Sequence, residues 1–419
     1  MNINFEAIKM IVLLLSILIA PLMAWMAVTG VFGLRNPRKL KRIETKNYRF
    51  AVVICARNEE QVIGNLLDSL NSQDYSGDSY DIFVIADNCT DQTAHEAKKH
   101  GATVFERFNN VRKGKGFALQ WGLSRIMDKN PGKYDAICVF DADNLASANF
   151  LTEMNACLCS GADVAQGYRD SKNIHDSWVS EVYSVYWLML MRFYYTARHN
   201  MGLSGMVGGT GFAFKTAALC GEGWNTFSMT EDVEFSIQQI CKGHRIIPAR
   251  SAIFYDEQPT TFGASMKQRF RWMVGGIQCI PLYLKTILTA VKNRNYKVLD
   301  MAWYVFFIPA NGLTVPINIL SVILAVYYSS AVPMILPVAF IGIALTWLLP
   351  MAMAAGVLYL ENRKIRPMLR AVVSYPAFIL TMGLAAFAAL VWPRTNWAPI
   401  AHKSNFTIQD VEGGVMSRK

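Results

Sequence analysis

The chain contains few charged residues for its length. Asp, Glu, Lys and Arg make up 17% of the 419 residues, whereas soluble proteins carry about 25% charged residues. Hydrophobic residues reach 53%, above the roughly 45–50% that is usual. This composition excludes an ordinary soluble enzyme. It also excludes a disordered chain, because aromatic residues make up 12%.

Several common nucleotide and metal motifs are missing as well. The glycine fingerprint G-x-G-x-x-G does not follow the first predicted strand, and the phosphate loop G-x-x-x-x-G-K-[ST] does not occur. The eight cysteines all lie between Cys55 and Cys279, and none has C-x-x-C spacing. They are therefore interpreted as reduced thiols in a reducing compartment. A nucleotide would have to be bound without a glycine loop.

Charge is absent from a long stretch near the N-terminus. Ile11–Leu34 has 24 residues without a charge, enough to cross a hydrocarbon core of about 30 Å. Residues 35–49 then contain seven basic residues and one acid. A cleaved signal peptide is the alternative, but its basic residues would precede the apolar part. The uncharged length predicts a transmembrane helix within residues 1–34. The positive-inside rule places the N-terminus outside, and the basic linker at 35–49 and the following domain in the cytoplasm.

The C-terminal third is also poor in charge. Met301–Leu360 contains no charged residue and has a turn signal near Pro333, so two transmembrane helices are predicted within 298–360. The loop Glu361–Arg370 is basic and is expected in the cytoplasm. Ala371–Trp392, within residues 361–392, is either a third span or an interfacial helix interrupted at Pro376.

Residues 50–260 have the pattern of an α/β domain. Runs rich in β-branched residues alternate with helical periodicity, which predicts a mostly parallel sheet with right-handed crossovers. The predicted strands are Phe50–Ala56, Asp81–Ala86, Thr103–Phe105 and Asp135–Phe140. Three of them end in polar clusters, at residues 57–60, 87–91 and 141–143. Because ligands bind beyond the carboxyl ends of such strands, the clusters are expected to share one crevice.

Three short motifs each have a structural and a functional interpretation. Asp141-x-Asp143 suits Mg²⁺ or Mn²⁺ shared with substrate phosphates, although D-x-D is also common in solvated loops. Thr230-Glu231-Asp232 is either a helix N-terminus with favourable acids or the location of a general base. The run from Gln268 to Trp272, QRFRW, is either an interfacial Arg and Trp cluster or a diphosphate clamp beside a sugar-stacking ring.

Six motifs follow one another in the order ARNEE, DNCTD, GKGFAL, DAD, TED and QRFRW. The set resembles the family 2 membrane-integrated glycosyltransferases, the group of cellulose, chitin and hyaluronan synthases, over about residues 51–272. The resemblance implies a cytoplasmic α/β catalytic domain of GT-A type over 50–260, together with membrane-spanning and interfacial α-helices. It also implies interfacial helices over 261–297 that carry QRFRW, and a gating-loop-like tail over 393–419.

The resemblance implies roles for individual residues. The nucleotide is expected to contact Ala56, Arg57, Asn58, Glu59, Asp87, Lys115 and Asp141. Mg²⁺ or Mn²⁺ is assigned to Asp141 and Asp143, and the general base is Asp232. The diphosphate is assigned to Gln268 and Arg271, and the acceptor to Gly209, Thr210, Glu231 and Trp272. The gating loop is expected to begin at Trp397 and to include His402.

The implied activity is inverting transfer of a hexose from a UDP-sugar to a growing β-linked polysaccharide, with secretion of the chain through the plasma membrane. A non-processive enzyme that makes a membrane glycolipid is the alternative. The chain is predicted to have only three or four spans, so a pore for the polymer would also need the interfacial helices, a second protomer or accessory secretion subunits. A transporter is disfavoured because the spans contain no internal charge. Nucleic acid is not an expected partner, because basic residues of this +10 chain concentrate beside the spans.

Overall fold

The computed structural model describes residues 4–40, 46–329, 332, 334–393 and 405–416. These residues form eight strands and thirteen α-helices, with a π-helical segment at Leu190–Thr196. The strands are β1 (Phe50–Ala56), β2 (Tyr80–Asp87), β3 (Thr103–Arg107), β4 (Ala136–Asp141), β5 (Leu145–Ala146), β6 (Val164–Ser171), β7 (Phe212–Lys215) and β8 (Ile246–Asp256). The helices are α1 (Phe5–Val31), α2 (Ile63–Asn71), α3 (Thr93–Lys99), α4 (Lys115–Lys129), α5 (Phe150–Cys159), α6 (Trp178–Met189), α7 (Ala197–Met201), α8 (Glu231–Cys241), α9 (Phe262–Lys292), α10 (Val298–Tyr328), α11 (Ile335–Leu360), α12 (Leu369–Val391) and α13 (Ile408–Met416).

The eight strands form one sheet in the order β3-β2-β1-β4-β7-β6-β8-β5. β3, β2, β1 and β4 are mutually parallel, and β6 is parallel to β8. β7 lies antiparallel between β4 and β6, and β5 pairs antiparallel with β8 at the edge. The predicted mostly parallel sheet is therefore confirmed. The two antiparallel strands were not predicted from the sequence.

β1 is covered by helices on both faces of the sheet. Six of its seven residues are buried. Val53 packs in one hydrophobic core with Leu119 of α4, whereas Ile54 packs in a second core with Leu66 of α2. A strand buried on both faces has a continuous apolar sequence, which is why FAVVICA was recognisable.

Two strands extend one residue beyond their predicted ends. β2 includes Asp87 and β4 includes Asp141, so each acid is the last residue of its strand. Asp141 aligns with Cys55 of β1, and Asp87 aligns with Arg107 of β3. The polar clusters that follow β1, β2 and β4 therefore share one edge of the sheet, as predicted.

Five of the described helices are long and apolar enough to cross a membrane: α1, α9, α10, α11 and α12. They differ in how much of their most apolar segment, 18 residues long, is buried by the rest of the protein. The buried share is 6% in α1, 17% in α10 and 0% in α11, but 33% in α9 and 50% in α12. The apolar segments of α1, α10 and α11 are therefore mostly exposed, whereas those of α9 and α12 are more deeply buried, and α10 also packs against α1, α9 and α12.

The helical part differs from the sequence prediction in two details. QRFRW lies on one continuous helix, α9, rather than on several helices. The predicted interruption of α12 at Pro376 is wrong, because the helix continues through that residue. A proline inside a helix costs about 3 kcal/mol. Burial of Tyr375 and Phe378 in a core shared with α6 offsets this cost.

Candidate active site

The loops after β1 and β2 are joined by side-chain hydrogen bonds. Asn58 adopts the left-handed conformation, with a φ of 58°, which asparagine tolerates better than most residues. Its Oδ1 accepts a hydrogen bond from the Thr90 amide at 2.8 Å. The Glu59 amide donates to Thr93 Oγ1 at 2.8 Å. Ala56 is buried at the end of β1, so the predicted nucleotide residues 56–59 are fixed against the second loop.

Asp87 forms a buried ion pair that the sequence analysis did not anticipate. Arg107 Nη1 donates to Asp87 Oδ1 at 2.5 Å, and both residues are less than 10% exposed. Burial raises the pKa of Asp87, although Arg107 and Arg57 act in the opposite direction. Arg107 ends β3, whose short sequence gave only a weak strand signal. The pair fixes one carboxylate oxygen of the predicted base-binding residue.

Lys115 is at the centre of the acidic cluster. Its Nζ donates to Asp141 Oδ1 at 2.5 Å and to the Gly209 carbonyl at 2.6 Å, and it lies 3.8 Å from Glu231 Oε1. Burial would lower the pKa of Lys115, but the carboxylates of Asp141 and Glu231 outweigh burial and raise it. The ammonium group therefore stays charged. The ammonium group of Lys115, at the start of α4, therefore connects this helix with the end of β4, the loop before β7 and the start of α8.

A hydrogen-bond chain connects Asp141 with Asp256. The Asp141 amide donates to Thr210 Oγ1 at 2.8 Å, and the Thr210 hydroxyl donates to Asn144 Oδ1. Asn144 Nδ2 donates to Asp256 Oδ1 at 2.8 Å and to Asp143 Oδ1 at 3.4 Å. Thr210 was predicted to border the acceptor, but its side chain instead supports the D-x-D turn. Asn144 and Asp256 were missed, although Asn144 directly follows the D-x-D motif.

Asp232 lies in the first turn of α8 beside the Gly209 backbone. Its Oδ1 accepts a hydrogen bond from the Val233 amide at 2.9 Å. Its Oδ2 faces Gly209, where an added Cβ would lie 3.4 Å from this oxygen. Gly209 has a φ of 84°, a conformation that favours glycine. No described residue donates a hydrogen bond to Asp232 Oδ2, so this oxygen remains available to a substrate.

The acids Glu231 and Asp232 both titrate above their usual range. Burial raises the pKa of Glu231, and Lys115 opposes that effect while Asp232 adds to it. Burial also raises the pKa of Asp232, and Lys115 and Arg169 oppose it. A buried carboxylate with a raised pKa is suited to accept a proton. Glu231 approaches Lys115, so Asp232 is the better candidate for the base.

Arg169 is a site residue that the sequence analysis missed. Its Nη1 lies 3.3 Å from Asp256 Oδ2, and its Nη2 donates to the Gly208 carbonyl. The guanidinium carbon lies 3.9 Å from the centre of the Trp187 ring, a cation–π contact. Arg169 is the one partly exposed residue of β6 and lies near its carboxyl end, so the general rule that ligands bind at strand ends could have indicated it. It connects the acidic cluster with an aromatic cluster.

Trp272 belongs to that aromatic cluster, and the rings that it contacts come from α6. Its ring is stacked with Tyr186 at 6.3 Å between centroids, and it meets Trp187 edge-on at 5.7 Å and Tyr183 at 6.2 Å. Trp272 is partly exposed. The structure thus brings the predicted acceptor ring to a partly open aromatic surface. The aromatic residues of α6 were not predicted.

Gln268 and Arg271 lie on the same helix, α9, as Trp272. Gln268 Oε1 and Arg271 Nε are buried and have no hydrogen-bond partner among the described residues. Buried polar groups in proteins are usually paired, so an unpaired group indicates a missing partner. Gly275 of α9 packs against Thr230, the residue before Glu231. The helix that carries both polar groups is therefore attached to the start of α8.

The acidic residues fit a divalent cation that also contacts a substrate. Asp143 is 5% exposed, and Asp141 and Asp143 raise the pKa of Asp256 in addition to burial. Among the described residues, no group of three or more His, Cys, Asp or Glu side chains is arranged to hold a metal. Mg²⁺ needs only one or two protein carboxylates when substrate phosphates supply further oxygens. Trp397 and His402 of the predicted gating loop lie outside the described residues.

The fold is that of a GT-A-like glycosyltransferase. The mannosyltransferase PcManGT from Pyrobaculum calidifontis, solved in complex with GDP-Man and Mn²⁺, superposes with a TM-score of 0.59. The alignment covers 93% of this chain and 100% of that chain, with 15% sequence identity. At this identity the likeness concerns the fold alone. The predicted GT-A fold is confirmed.

The chain belongs to the glycosyltransferase like family 2, whose pattern matches residues 48–275. The beta-monoglucosyldiacylglycerol synthase of Synechocystis sp. is 27% identical over 248 residues, which cover 57% of this chain and 50% of that protein. The poly-beta-1,6-N-acetyl-D-glucosamine synthase of Staphylococcus aureus is 23% identical over 250 residues, which cover 58% of each protein. The chain therefore matches between half and two thirds of the length of these relatives.

Proposed function

We propose that the protein is an inverting hexosyltransferase that uses a UDP-sugar, with Asp232 as the general base. The observation that carries the proposal is the position of Asp232 Oδ2, which faces Gly209 without a described hydrogen-bond donor. Lys115 and the D-x-D aspartates lie on the donor side of Gly209. An acceptor hydroxyl beside Gly209 can therefore contact Asp232 Oδ2 and the anomeric carbon of the donor sugar at the same time.

The reaction is a single displacement at the anomeric carbon. The acceptor hydroxyl gives its proton to Asp232 Oδ2 as its oxygen bonds to the anomeric carbon. The bond between that carbon and the diphosphate oxygen breaks, and the electron pair leaves with UDP. Attack opposite the leaving group inverts the centre, so an α-linked donor gives a β-linked product. A covalent intermediate would need a carboxylate nucleophile as well.

The leaving diphosphate needs positive charge and hydrogen-bond donors. Arg271 offers a buried Nε without a described acceptor, and its guanidinium is well shaped for phosphate. Lys115 adds a fixed positive charge at the other side of the cluster. When bound by Asp141 and Asp143, Mg²⁺ or Mn²⁺ would neutralise further diphosphate charge.

Asp87 supports the choice of a uridine base. Its Oδ1 is held by Arg107, and its Oδ2 remains to accept an N–H group from a base. Uracil presents such a group at N3. Arg57 is close enough to lower the pKa of the Asp87 carboxyl, so residues 56–59 and Asp87 form one wall of the base site.

We place three helices, α1, α10 and α11, across the membrane. Phe5 of α1 stacks on Tyr327 of α10 at 3.7 Å, far along both helices from the catalytic domain. At the opposite end of α11, Glu361 accepts from Arg250 of β8 at 2.7 Å. After the catalytic domain the chain crosses twice, through α10 and α11, so the segment after α11 returns to the catalytic side. The basic loops then assign that side to the cytoplasm of a plasma membrane protein.

We place α9 and α12 in the membrane interface rather than across it. Asn295, just after α9, donates to the Ile240 carbonyl of the catalytic domain at 2.7 Å. Arg370 at the start of α12 pairs with Glu181 at 2.9 Å. Beyond α12, Asn405 accepts from Asn65 at 2.7 Å. α9 directly follows β8, its C-terminal flank contacts the catalytic domain, and so do both flanks of α12, so neither helix needs to cross.

Cysteine labelling tests this topology. Gly413→Cys places a thiol in open space after α12, and Val332→Cys places one in the exposed connection between α10 and α11. A membrane-impermeant maleimide added to intact cells should label Val332→Cys but not Gly413→Cys. Labelling of both variants would show that α12 crosses the membrane.

A growing β-linked polysaccharide is the acceptor that we favour. The rings of Trp272, Tyr186 and Trp187 form a partly exposed aromatic surface on α9 and α6. Aromatic faces suit the stacking of successive sugar rings. The similarity to a poly-beta-1,6-N-acetyl-D-glucosamine synthase adds support. In this proposal the chain leaves through the membrane beside α10 and α12, with a second protomer or accessory subunits completing the path.

A membrane glycolipid is the second candidate product, and the packing of the helices favours it. A Cβ at Gly312 of α10 would lie 2.8 Å from the backbone of Ala386 in α12. Arg269 of α9 donates to the Phe378 carbonyl of α12 at 2.8 Å. These close contacts would have to separate to admit a polymer. The similarity to beta-monoglucosyldiacylglycerol synthase points to a lipid acceptor as well.

Product analysis distinguishes the two candidates. The full chain in lipid nanodiscs should be incubated with a panel of radiolabelled UDP-sugars and Mg²⁺ or Mn²⁺. A long polymer that β-glycosidases degrade would support the polysaccharide proposal, and a mono-glycosylated lipid would support the second candidate. Absence of transfer from every UDP-sugar, with transfer from another nucleotide sugar, would overturn the assignment of the donor.

A further inference from the structure

A polar cavity of about 490 Å³ lies where α1 and α11 meet the catalytic domain. Leu34, after the last turn of α1, and Tyr359, at the end of α11, lie at its rim and are 57% and 75% exposed. Its polar lining includes Asn36, Asn362, Arg192, Arg250 and Glu361. In the three-span arrangement proposed above, this rim lies at the level of the lipid headgroups of the catalytic-side leaflet.

Two guanidinium groups are held rigidly in the cavity. Glu361 accepts from Arg192 Nη1 at 3.4 Å and from Arg250 Nη2 at 2.7 Å. Arg192 Nε also donates to the Gly33 carbonyl at 2.6 Å, which ties the group to the end of α1. Arg250 Nη1 donates to Thr196 at 2.9 Å. These bonds orient both side chains before any ligand arrives.

The cavity retains donors and positive charge. Each arginine has five N–H groups, and no described residue accepts from Arg250 Nε. Arg192 and Arg250 together outweigh the single carboxylate of Glu361. A phosphate group at the rim would therefore meet oriented donors and a net positive field.

We propose that this cavity binds the phosphate of an anionic phospholipid headgroup. The position of the rim between two exposed apolar helices lets the acyl chains remain in the bilayer while the phosphate reaches Arg250. Anionic lipids attract basic clusters on the catalytic side of a membrane. The site is separate from the acidic cluster of the transferase, because Arg250 and Asp256 lie six residues apart along β8.

Native mass spectrometry of the full chain in a neutral detergent tests the proposal. Phosphatidylglycerol and phosphatidylcholine with the same acyl chains should be added at equal concentrations. Phosphatidylglycerol should bind about tenfold more tightly, as expected for charge-assisted hydrogen bonds. Asn362→Asp should reduce this preference, because it adds a carboxylate to the lining while both arginine–Glu361 pairs remain. Asn362 has a φ of 55°, which aspartate also tolerates.

Controls separate a specific site from general surface charge. Arg370→Gln removes an exposed arginine at the start of α12 that does not line the cavity, and it should leave the lipid preference unchanged. Equal binding of the two lipids, or a preference that Asn362→Asp leaves intact, would overturn the proposal. Displacement of the lipid by millimolar inorganic phosphate would identify free phosphate as the ligand and also overturn it. The measurement needs no sugar donor, so its failure is independent of the proposed transfer reaction.

Discussion

The donor side and the acceptor side of the candidate active site are built differently. On the donor side, charged groups satisfy one another: Arg107 pairs with Asp87, and Lys115 pairs with Asp141. On the acceptor side, Asp232 Oδ2 has no described hydrogen-bond partner, and aromatic rings provide the surface. The donor site is thus organised before substrate binds, whereas the acceptor side keeps the oxygen that takes up the proton during transfer. Arg169 contacts both sides.

Replacement of Asp232 by asparagine should give the largest effect. The asparagine keeps the shape but cannot accept the proton, so kcat should fall by about 10²–10⁴-fold. UDP binding, measured by calorimetry, should stay within about twofold because the donor side is intact. Retained turnover would show that another group is the base, and lost UDP binding would show that the two sides are not separable.

Lys115→Met should damage the donor side. It removes the cation between Asp141 and Glu231, and kcat/KM for the donor should fall by about 10²-fold, as for loss of one electrostatic stabiliser. UDP affinity should fall as well, in contrast to Asp232→Asn. Lys129→Met, at the exposed far end of α4, is the matched control and should leave both quantities unchanged. Unchanged UDP affinity in Lys115→Met would contradict the donor role.

Trp272→Ala should affect the acceptor side alone. Loss of the ring removes stacking worth about 0.5–1.5 kcal/mol. The KM for the acceptor should therefore rise by about two- to tenfold, with an unchanged KM for the UDP-sugar. Trp272→Phe keeps an aromatic face and should restore most of the acceptor affinity. A rise in the KM for the UDP-sugar instead would show that Trp272 acts on the donor side and not on the acceptor side.

Arg169→Gln should mainly change the pH dependence. Asp232 must be ionised to act as the base, so activity is lost as the pH falls through its pKa. Burial raises this pKa, and the positive charge of Arg169 opposes the rise. Loss of the charge should move the acidic limb of the kcat profile to higher pH, and Arg169→Lys should move it back. An unshifted limb in Arg169→Gln would show that Arg169 does not influence the base.

The sequence predicted the positions of Asp87 and Asp141 at strand ends but missed Arg169 and Asp256, for a physical reason. Asp87 and Asp141 each follow a continuous apolar run. The apolar run and the acid that follows it are both local signals, and together they identify the end of a strand. Asp256 ends β8 and Arg169 lies two residues before the end of β6, and the order of these strands in the sheet depends on the antiparallel insertion of β7. Pairing between strands that are distant in the chain produces no periodic pattern in the sequence. The continuity of α12 was missed because packing outweighs the local effect of Pro376.

The chain around QRFRW illustrates the same limit. The motif predicted the residue types, and the structure places Trp272 in an aromatic cluster with residues of α6. Arg269, the arginine without an assigned role, is 1% exposed and holds α12 through the Phe378 carbonyl. Sequence alone could not separate the buried arginine of the motif from the one assigned to diphosphate, because both lie within one helical turn.

The anomeric configuration of the product tests the central claim most directly. The wild-type protein should be incubated with an α-linked UDP-hexose that supports turnover, and the new linkage should be read from the proton coupling constant of the anomeric signal. A β-linkage formed by the wild type, and no linkage formed by Asp232→Asn, is the predicted result. An α-linked product would contradict the single displacement with Asp232 as its base.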